Sequence, residues 1–346
     1  MTVAETMKAV GLYKYLSIDN PDSLLDVTIE KPAAEGRDLL VRVKAISVNP
    51  VDTKVRSPKE HEESAPRVLG WDVAGVVEQT GSDCTLFQPG DEVYYAGSII
   101  RPGGNSEFHL VDERIVGKKP ASLDYAQAAA LPLTAITAWE ALFDRLGVSR
   151  DAAANAGRSI LIIGAAGGVG SIAVQLADHV GLTVVGTATR PESQEWVRQL
   201  GARHTISHAE AFQPQLAAIG LPHVDYILCL NSAEQHWANM SEAIKPQGKV
   251  GLITNIKEPL HLSLFMNKSV TIAWELMYTR STHQTDDMIE QHKLLNELAE
   301  LVDSGTIRTT LTEKLSPINA ANLRRAHAII ETGRTLGKVV LENWES

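Results

Sequence analysis

The feature that most constrains the fold is a glycine-rich turn between two largely apolar segments. The segment 159–163 is typical of a buried strand, and 171–179 is typical of a helix. Glycines let the backbone turn sharply and approach a pyrophosphate, which the amides at the start of the helix then face. The pattern therefore predicts a dinucleotide-binding turn; the alternative is a tight strand-to-helix turn that binds nothing. The residues assigned to the turn are Gly164, Gly167, Gly168, Val169 and Gly170.

Strand and helix patterns alternate along the chain after this turn. Such alternation indicates a parallel, doubly wound sheet with helices on both faces. Strands are predicted at 159–163, 182–187, 205–206, 224–230, 249–254 and 270–274, and helices at 171–179, 191–200 and 234–244. Open sheets of this kind bind ligands at the carboxyl ends of their strands, so Thr187, Asn231 and Thr254 are assigned to cofactor binding.

The end of the second strand predicts which dinucleotide binds. A site for NAD usually has an acidic residue about 20 residues after the glycines, and the segment 186–190 has none. Thr189 and Arg190 offer a hydroxyl and a guanidinium, which suit a 2′-phosphate. Glu192 is interpreted as the partner of Thr189 in a capping box. NADP(H) is therefore the predicted cofactor, with His208 either a further phosphate neighbour or a surface residue.

The flanking regions have other patterns. Short β-branched runs at 39–48, 73–77 and 92–95 indicate a β-rich front, and an alanine-rich helical region interrupted at Pro132 follows it. The tail has two helical patterns, at 286–302 and 319–331, before a last apolar run at 338–341.

Composition excludes several classes of protein. The 346 residues include 42 acidic and 32 basic side chains, so the net charge of −10 argues against a nucleic-acid partner. Two cysteines exclude a disulfide framework and favour a reducing, cytoplasmic location. The uncharged stretch 159–177 is nearly long enough to span a bilayer, but its glycines would break an isolated helix. No membrane partner is therefore expected.

Several motifs are similar to those of the medium-chain dehydrogenase/reductase superfamily, and the similarity covers essentially the whole chain. The stretches SVNPVD at 47–52, VLGWDVAG at 68–75, LPLTAITAW at 131–139 and AAGGVG at 165–170 resemble its quinone oxidoreductase (zeta-crystallin-like) branch. The stretches 95–97, 101–103 and 111–120 resemble the zinc-type alcohol dehydrogenase-like proteins. The resemblance implies an α/β fold with a GroES-like β-rich catalytic domain over 1–127 and 278–346. It also implies a doubly wound Rossmann domain over 128–277, with the active site in the cleft between the domains.

The residues do not support the metal that the group's name implies. Zinc-dependent relatives bind their catalytic zinc with a Cys, a His-Glu pair and a second Cys. The matching positions here hold Asn49, Trp71 with Asp72, and Leu133. Trp and Leu cannot bind zinc and Asn is a poor ligand, so no metal site is predicted. Without a Lewis acid to stabilise an alkoxide, conjugated acceptors, namely quinones and α,β-unsaturated carbonyl compounds, are the expected substrates.

The resemblance also assigns roles in the catalytic domain and around the nicotinamide. The amide of Asn49 is expected to donate a hydrogen bond to the charge that develops on the acceptor. Asp52 is expected to orient that loop or relay a proton; the alternative is a surface carboxylate without a role. The other candidates are Thr137 beside the nicotinamide, Trp71 and Tyr95 as aromatic walls of the substrate pocket, Phe265, Trp274 and Tyr278 as weaker candidates for the same wall, and Lys338 at a cofactor phosphate.

The sequence thus predicts an NADPH-dependent, zinc-independent reductase of small-molecule quinones or enones. Two alternatives stay open: a zinc-dependent alcohol dehydrogenase with atypical ligands, and a non-catalytic NADPH-binding redox sensor. A homodimer is expected because part of the superfamily dimerises through a sheet edge.

Overall fold

The structure is a computed structural model that describes residues 5–345. The chain forms two compact units. The first runs up to Leu133 and resumes at Tyr278, and the second runs from Thr134 to Met277. The predicted domain boundaries lay at 127/128 and 277/278. Within the described residues, no helix combines the length and the apolar character needed to cross a bilayer.

The front of the first unit is made of strands and two short helices. They are β1 (Thr6–Tyr15), β2 (Leu25–Glu30), β3 (Asp38–Val48), α1 (Pro50–Arg56), β4 (Lys59–Val68), β5 (Val73–Thr80), β6 (Glu92–Tyr95), β7 (Phe108–Asp112), β8 (Val116–Lys118) and α2 (Tyr125–Ala129). Helix α3 (Pro132–Trp139) follows and continues into a π-helical segment, Glu140–Arg145.

The second unit contains the alternating elements that the sequence predicts. Its strands are β9 (Ser159–Ile163), β10 (Thr183–Thr187), β11 (His204–Ile206), β12 (Val224–Cys229), β13 (Ile244–Leu252) and β14 (Thr271–Trp274). Its helices are α4 (Gly168–His179), α5 (Pro191–Gln199), α6 (Phe212–Ala218) and α7 (Ala233–Ala243). The six strands form one parallel sheet in the order β11-β10-β9-β12-β13-β14. The order runs outward from β9 in both directions, so the strand order reverses between β9 and β12, where such sheets bind their ligands.

The tail completes the first unit. Its elements are α8 (Thr279–His283), α9 (Glu290–Asp303), β15 (Leu311–Leu315), α10 (Ala320–Glu331) and β16 (Lys338–Glu342). A seven-stranded sheet has the order β15-β16-β3-β5-β6-β8, with β7 paired to β3, and a separate three-stranded sheet has the order β2-β1-β4. Strand β16 thus returns from the end of the chain to lie antiparallel to β3, with Val339 opposite Val48.

Two predicted elements differ in their bounds. Helix α4 begins at Gly168, three residues before the predicted start, because the helix takes the last glycines of the turn into its first turn. Strand β13 begins at Ile244, five residues before the predicted start at 249, and so includes the turn-forming residues 246–248. Gln247 has a left-handed backbone with φ 61°, and the pairing with β12 shifts register there. The turn chemistry therefore forms an irregularity inside the strand instead of ending it.

Candidate functional site

The glycine turn joins β9 to α4 at the carboxyl edge of the parallel sheet. Gly164 has φ +85°, a left-handed conformation that favours glycine. A Cβ on Gly170 would lie 2.4 Å from the carbonyl oxygen of Gly164, so the close packing of helix against turn requires glycine there. A Cβ on Gly167 would meet no heavy atom nearer than 3.6 Å, so the space above this residue is open. Gly167 is also the N-cap of α4, and no side chain caps the first amides of the helix.

Side chains that follow three strands end at this edge of the sheet, and two of them lie beside the turn. The Thr187 hydroxyl accepts a hydrogen bond from the amide of Gly164 at 3.0 Å. A Cβ on Gly164 would lie 3.0 Å from Nδ2 of Asn231, which places that exposed amide beside the turn. The Oγ1 atom of Thr254 is buried and has no hydrogen-bond partner. Uncapped helix amides, an open glycine and an unpartnered hydroxyl are the features expected of a pyrophosphate-binding turn.

The end of β10 places Arg190 at the start of α5. Arg190 is the N-cap residue, and its carbonyl accepts a hydrogen bond from Ser193 Oγ at 2.8 Å. Its guanidinium is 40% exposed and lies 3.4 Å from a carboxylate oxygen of Glu192. The predicted capping box between Thr189 and Glu192 is wrong, because the helix begins one residue later than that motif needs and Glu192 pairs with Arg190 instead. His208 is exposed beyond β11.

The first unit contains a buried group of polar side chains, here called the polar cluster: Asn49, Asp52, Asp72 and Lys338. Asp72 is its centre. One of its oxygens accepts from Asn49 Nδ2 at 2.8 Å and lies 3.1 Å from the Lys338 ammonium, and the other accepts from the amide of Leu133 at 2.8 Å. Buried carboxylates need such partners, because burial without them is costly.

The expected role of Asn49 does not agree with these contacts. Its Nδ2 donates to Asp72, with a weaker contact of 3.5 Å to the carbonyl of Ser47, and its Oδ1 accepts from Lys338. The amide is therefore occupied by the polar cluster and is not directed at an acceptor. The reason is local: a buried carboxylate and a buried ammonium both need the amide as a partner.

The expected role of Lys338 is corrected in the same way. The side chain is buried, at 2% exposure, and its ammonium donates to the carbonyl of Val48 at 3.0 Å as well as to Asn49. With Asp72 as its counter-ion, it balances charge inside the polar cluster and has no free direction toward a phosphate.

Asp52 combines a structural and a chemical feature. One carboxylate oxygen accepts from the backbone amide of Asn49 at 2.6 Å, which fixes the start of α1, and the other, Oδ1, has no hydrogen-bond partner. Burial raises the pKa of Asp52 to about 7, against the opposing effects of the Asn49 amide and the Lys338 ammonium. A carboxyl group with that pKa exchanges its proton near neutral pH.

The aromatic candidates occupy three different environments. Trp71 is buried and donates from Nε1 to the carbonyl of Ser98 at 3.1 Å. The Tyr95 hydroxyl forms a hydrogen bond of 3.0 Å with Nδ1 of His109, so this phenol stabilises the fold of the first unit. Phe265 is corrected: it lies in the apolar core of the second unit with its ring edge-on to Trp237 at 4.7 Å between centroids, so it cannot line a substrate pocket.

Three further positions complete the comparison with the sequence. Thr137 is buried in α3. The sequence contained a signal that Asp72 belongs to a buried polar group, because a carboxylate inside the apolar run 68–75 must find a partner. The hydroxyl of Tyr278 is buried without a hydrogen-bond partner, and no local pattern indicates it.

The positions that bind zinc in metal-dependent relatives hold a donor set that does not fit zinc. Leu133 has no donor atom in its side chain, and the indole N–H of Trp71 is a hydrogen-bond donor already engaged with Ser98. Asn49 and Asp72 are bonded to the Lys338 ammonium. Over residues 5–345, no three His, Cys, Asp or Glu side chains come together as a metal-binding group.

Comparisons with known proteins agree with this architecture. Residues 35–121 match the alcohol dehydrogenase GroES-like domain, and 168–294 match the zinc-binding dehydrogenase family. A zinc-type alcohol dehydrogenase-like protein of Staphylococcus aureus is 42% identical, with 97% of this chain and 99% of that protein covered. The 2-methylene-furan-3-one reductase of Solanum lycopersicum is 29% identical, with 99% of this chain and 80% of that protein covered.

Solved structures give the same result. A Rhizobium etli protein described as a zinc-dependent alcohol dehydrogenase superposes with a TM-score of 0.95 at 52% identity, covering 99% of this chain and all of that one. The Escherichia coli quinone oxidoreductase complexed with NADPH shares the fold, with a TM-score of 0.77 at 24% identity, covering 97% of this chain and 99% of that one. The expected α/β class, with a GroES-like domain and a Rossmann-type sheet, is confirmed. The chain belongs to the medium-chain dehydrogenase/reductase superfamily of oxidoreductases.

Proposed function

We propose that the protein is an NADPH-dependent, zinc-independent reductase of quinones or α,β-unsaturated carbonyl compounds. The observation that carries this proposal is the polar cluster. At the positions where metal-dependent relatives bind zinc, Asn49 and Asp72 are engaged by the ammonium of Lys338, and Leu133 has no side-chain donor. The Lewis-acid route to a simple alcohol or ketone is therefore not the chemistry that these residues support.

Conjugated acceptors suit a site of this kind. Negative charge that develops during reduction spreads over the conjugated system, so hydrogen-bond donors can replace a metal ion. The relative from Solanum lycopersicum, whose name specifies an enone as its substrate, supports the alkene half of the proposal. Bound NADPH would supply the hydride, and the chain's residues would position the acceptor and provide the proton.

The preference for NADPH rests on the end of β10. Between Gly186 and Arg190 the chain has no acidic side chain that could bind the ribose diol of NAD. Arg190 follows β10, the strand next to β9, which leads into the glycine turn. Its guanidinium is partly exposed and could bind a 2′-phosphate there. Thr187, Asn231 and Thr254 are proposed to bind the rest of the dinucleotide. Thr137 is proposed to face the nicotinamide, and Trp71 to border the acceptor.

The second unit also supports a homodimer. Strand β14 is the edge of the six-stranded sheet, and its Trp274 is 52% exposed. Leu276, Met266 and Leu262 add exposed apolar surface in and near this edge, at 59%, 75% and 60% exposure. An exposed edge with large apolar side chains is a typical surface for pairing with a second copy.

Both cysteines are free thiols, which supports a reducing, cytoplasmic location.

The deciding experiment measures NADPH oxidation by chelator-dialysed protein with a panel of quinones, enones, ketones and aldehydes. Turnover of quinones or enones that added zinc does not change is the expected result. Aldehyde or ketone turnover that returns only with stoichiometric zinc would contradict the zinc-independent proposal. NADPH binding without turnover of any acceptor would favour a redox sensor.

A further inference from the structure

The second unit has a cavity at the amino edge of its parallel sheet, where β9, β12 and β13 begin. Its volume is about 260 Å³, and the charged side chains that line it are Arg158, Asp225, Lys245 and Lys249. Arg158 directly precedes β9, whose other end leads into the glycine turn. The cavity therefore lies at the opposite edge of the sheet from the candidate cofactor site.

The cavity has an excess of positive charge. The Lys245 ammonium lies 2.8 Å from a carboxylate oxygen of Asp225, and the same oxygen accepts from the amide of Ser159 at 2.8 Å. Among the residues that the structure describes, no carboxylate pairs with Arg158 or Lys249. Three cations thus face one carboxylate, which leaves two positive charges uncompensated on a protein whose net charge is −10.

The two uncompensated cations flank a buried phenol. Nη1 of Arg158 donates to the hydroxyl oxygen of Tyr226 at 2.7 Å, and Tyr226 is 4% exposed. Lys249 lies opposite Tyr226 in the pairing of β12 with β13. The backbone of Arg158 is fixed on both sides, since its amide donates to Asn155 and its carbonyl accepts from Thr183, each at 2.9 Å. Guanidinium and ammonium are the groups that proteins use to bind phosphate.

The irregularity in β13 brings its two lysines to one cavity. Ile244 lies opposite Val224 and Lys249 lies opposite Tyr226, so β13 takes five residue steps where β12 takes two. In a regular strand, residues four apart are separated by about 13 Å. The extra residues are looped out instead, and Lys245 and Lys249 both line the cavity.

Two backbone features make this arrangement possible. Gln247, within the irregularity, has φ 61°, a conformation that is uncommon for residues other than glycine. Gly147 has φ +62°, and a Cβ there would lie 3.0 Å from Nζ of Lys249. The absence of a side chain at Gly147 therefore leaves the space that the Lys249 ammonium needs.

We propose that this cavity binds a small dianion that carries a phosphate group, with Arg158 and Lys249 as its ligands. A phosphate dianion compensates both uncompensated charges, and its oxygens accept several charged hydrogen bonds. Lys245, paired with Asp225, completes the positive wall. The volume is below the range of about 300–1,000 Å³ for sites that bind drug-sized ligands, so a small anion fits. The inference does not depend on the proposed function, because the cavity shares no residue with the candidate cofactor site.

The test is calorimetric titration with inorganic phosphate at constant ionic strength. Wild type should bind one phosphate, and Lys249→Met should bind it about 10-fold or more weakly, as expected for a lost charged hydrogen bond. Lys257→Met is the matched control, an exposed lysine of the same unit that does not line the cavity, and should keep wild-type affinity. No binding to wild type would overturn the proposal. Equal affinity in wild type and Lys249→Met would also overturn it, because phosphate would then bind elsewhere, for example at the glycine turn.

A second variant guards against a folding defect at the half-buried Lys249. Arg158 is exposed and lies outside the strands, so Arg158→Met should keep the fold, checked by circular dichroism. It should also weaken phosphate binding about 10-fold or more. Wild-type affinity in Arg158→Met would contradict a site that these two cations share.

The choice of anion tests the ligand class. Acetate, a monoanion, should not bind at the same ionic strength, and equal affinity for acetate and phosphate would contradict a site for a dianion. Glycerol 3-phosphate separates the two sources of the phosphate group. Tighter binding than inorganic phosphate identifies a phosphate monoester as the ligand, and weaker binding identifies free phosphate; either result supports the site.

Discussion

At the residue scale, the polar cluster shows how one buried cation organises a site. The Lys338 ammonium reaches Asp72, Asn49 and the carbonyl of Val48 from the last strand of the chain. Asp72 in turn accepts from Asn49 and from the amide of Leu133. Each polar atom of this group is the hydrogen-bond or ion-pair partner of another. Removing the partner of a charged member leaves that charge buried in an apolar interior without compensation.

Replacing Lys338 with Met is therefore expected to destabilise the protein. The Asp72 carboxylate would lose its counter-ion while staying buried, a loss of about 3–5 kcal/mol in the free energy of unfolding. Urea denaturation of wild type and Lys338→Met measures it. Adding Asp72→Asn should restore part of the stability, because the unpaired charge is then gone. Equal stability of Lys338→Met and wild type would mean that the ion pair contributes nothing.

Replacing Arg190 with Ala tests the cofactor preference. If the guanidinium binds the 2′-phosphate, the KM for NADPH should rise about 10-fold or more, as expected for a lost charged hydrogen bond, while the KM for NADH stays unchanged. Arg198→Ala is the matched control, since that arginine lies at the other end of α5 and bonds to Thr205. An equal rise for both cofactors would contradict the phosphate assignment.

At the element scale, the N-terminus of α4 is the part of the molecule most directly encoded in sequence. The glycine spacing specifies a turn that brings helix and strand close together, and the structure contains this turn with Gly170 against the carbonyl of Gly164. Gly170 and Gly167 differ in their surroundings. A Cβ on Gly170 would meet closely packed backbone, whereas a Cβ on Gly167 would enter open space. The first is constrained by the fold and the second by what would bind above it.

Two substitutions should separate these constraints. Gly170→Ala places a Cβ 2.4 Å from backbone oxygen and should lower the free energy of unfolding by about 1–3 kcal/mol, the range for overpacking. Gly167→Ala should fold with near wild-type stability but bind NADPH more weakly, because the new methyl group occupies the open space. Thermal denaturation and NADPH fluorescence titration measure the two effects. Wild-type NADPH affinity in Gly167→Ala would place the pyrophosphate elsewhere.

Other elements could not be predicted so directly. Strand β4 begins Lys59-Glu60-His61-Glu62-Glu63, a charged and largely exposed run with none of the alternation of a half-buried strand. It forms because β1 pairs with it, with Gly11 opposite Val68. Pairing with a distant strand is a tertiary contact, and local propensity does not report it.

At the scale of the whole molecule, the second unit contains a buried pair of carboxyl groups. Glu140 and Glu275 are both buried, and Arg145 donates to Glu275 at 2.8 Å. Burial, together with the neighbouring Glu140, raises the pKa of Glu275 well above its ordinary value of 4.5. At a pH between the ordinary and the raised pKa, the Glu275 carboxyl therefore keeps its proton in the folded protein and loses it in the unfolded chain.

The stability of the protein should accordingly fall as pH rises above the ordinary pKa of a glutamate. Over that range the folded state binds more protons than the unfolded state, so each increase in pH favours unfolding. Glu275→Gln should flatten this dependence, because its amide stays neutral, whereas Glu210→Gln at an exposed site should not. Urea midpoints measured from mildly acidic to alkaline pH test it. Parallel curves for wild type and Glu275→Gln would exclude the carboxyl pair as the cause.

The proposed dimer is tested at the same scale. Trp274→Lys puts a charge on the exposed edge strand and should convert a dimer to a monomer in sedimentation velocity measurements. Ile100→Lys is the matched control, an apolar residue at 63% exposure in the first unit. A monomeric wild type, or a Trp274→Lys variant that stays dimeric, would contradict the proposed interface.

The sequence by itself determined the parallel sheet, the glycine turn and the family, because these depend on local patterns: runs of apolar residues, glycines at fixed spacing and matching motifs. The tertiary structure decided the role of each polar side chain. Asn49 and Lys338 were predicted to face ligands, yet they face each other, since β16 pairs with β3 and brings residue 338 next to residue 49. Phe265 was predicted at a pocket wall and packs in the core. A side chain's neighbours come from distant parts of the chain, so its direction is set only when the sheets assemble.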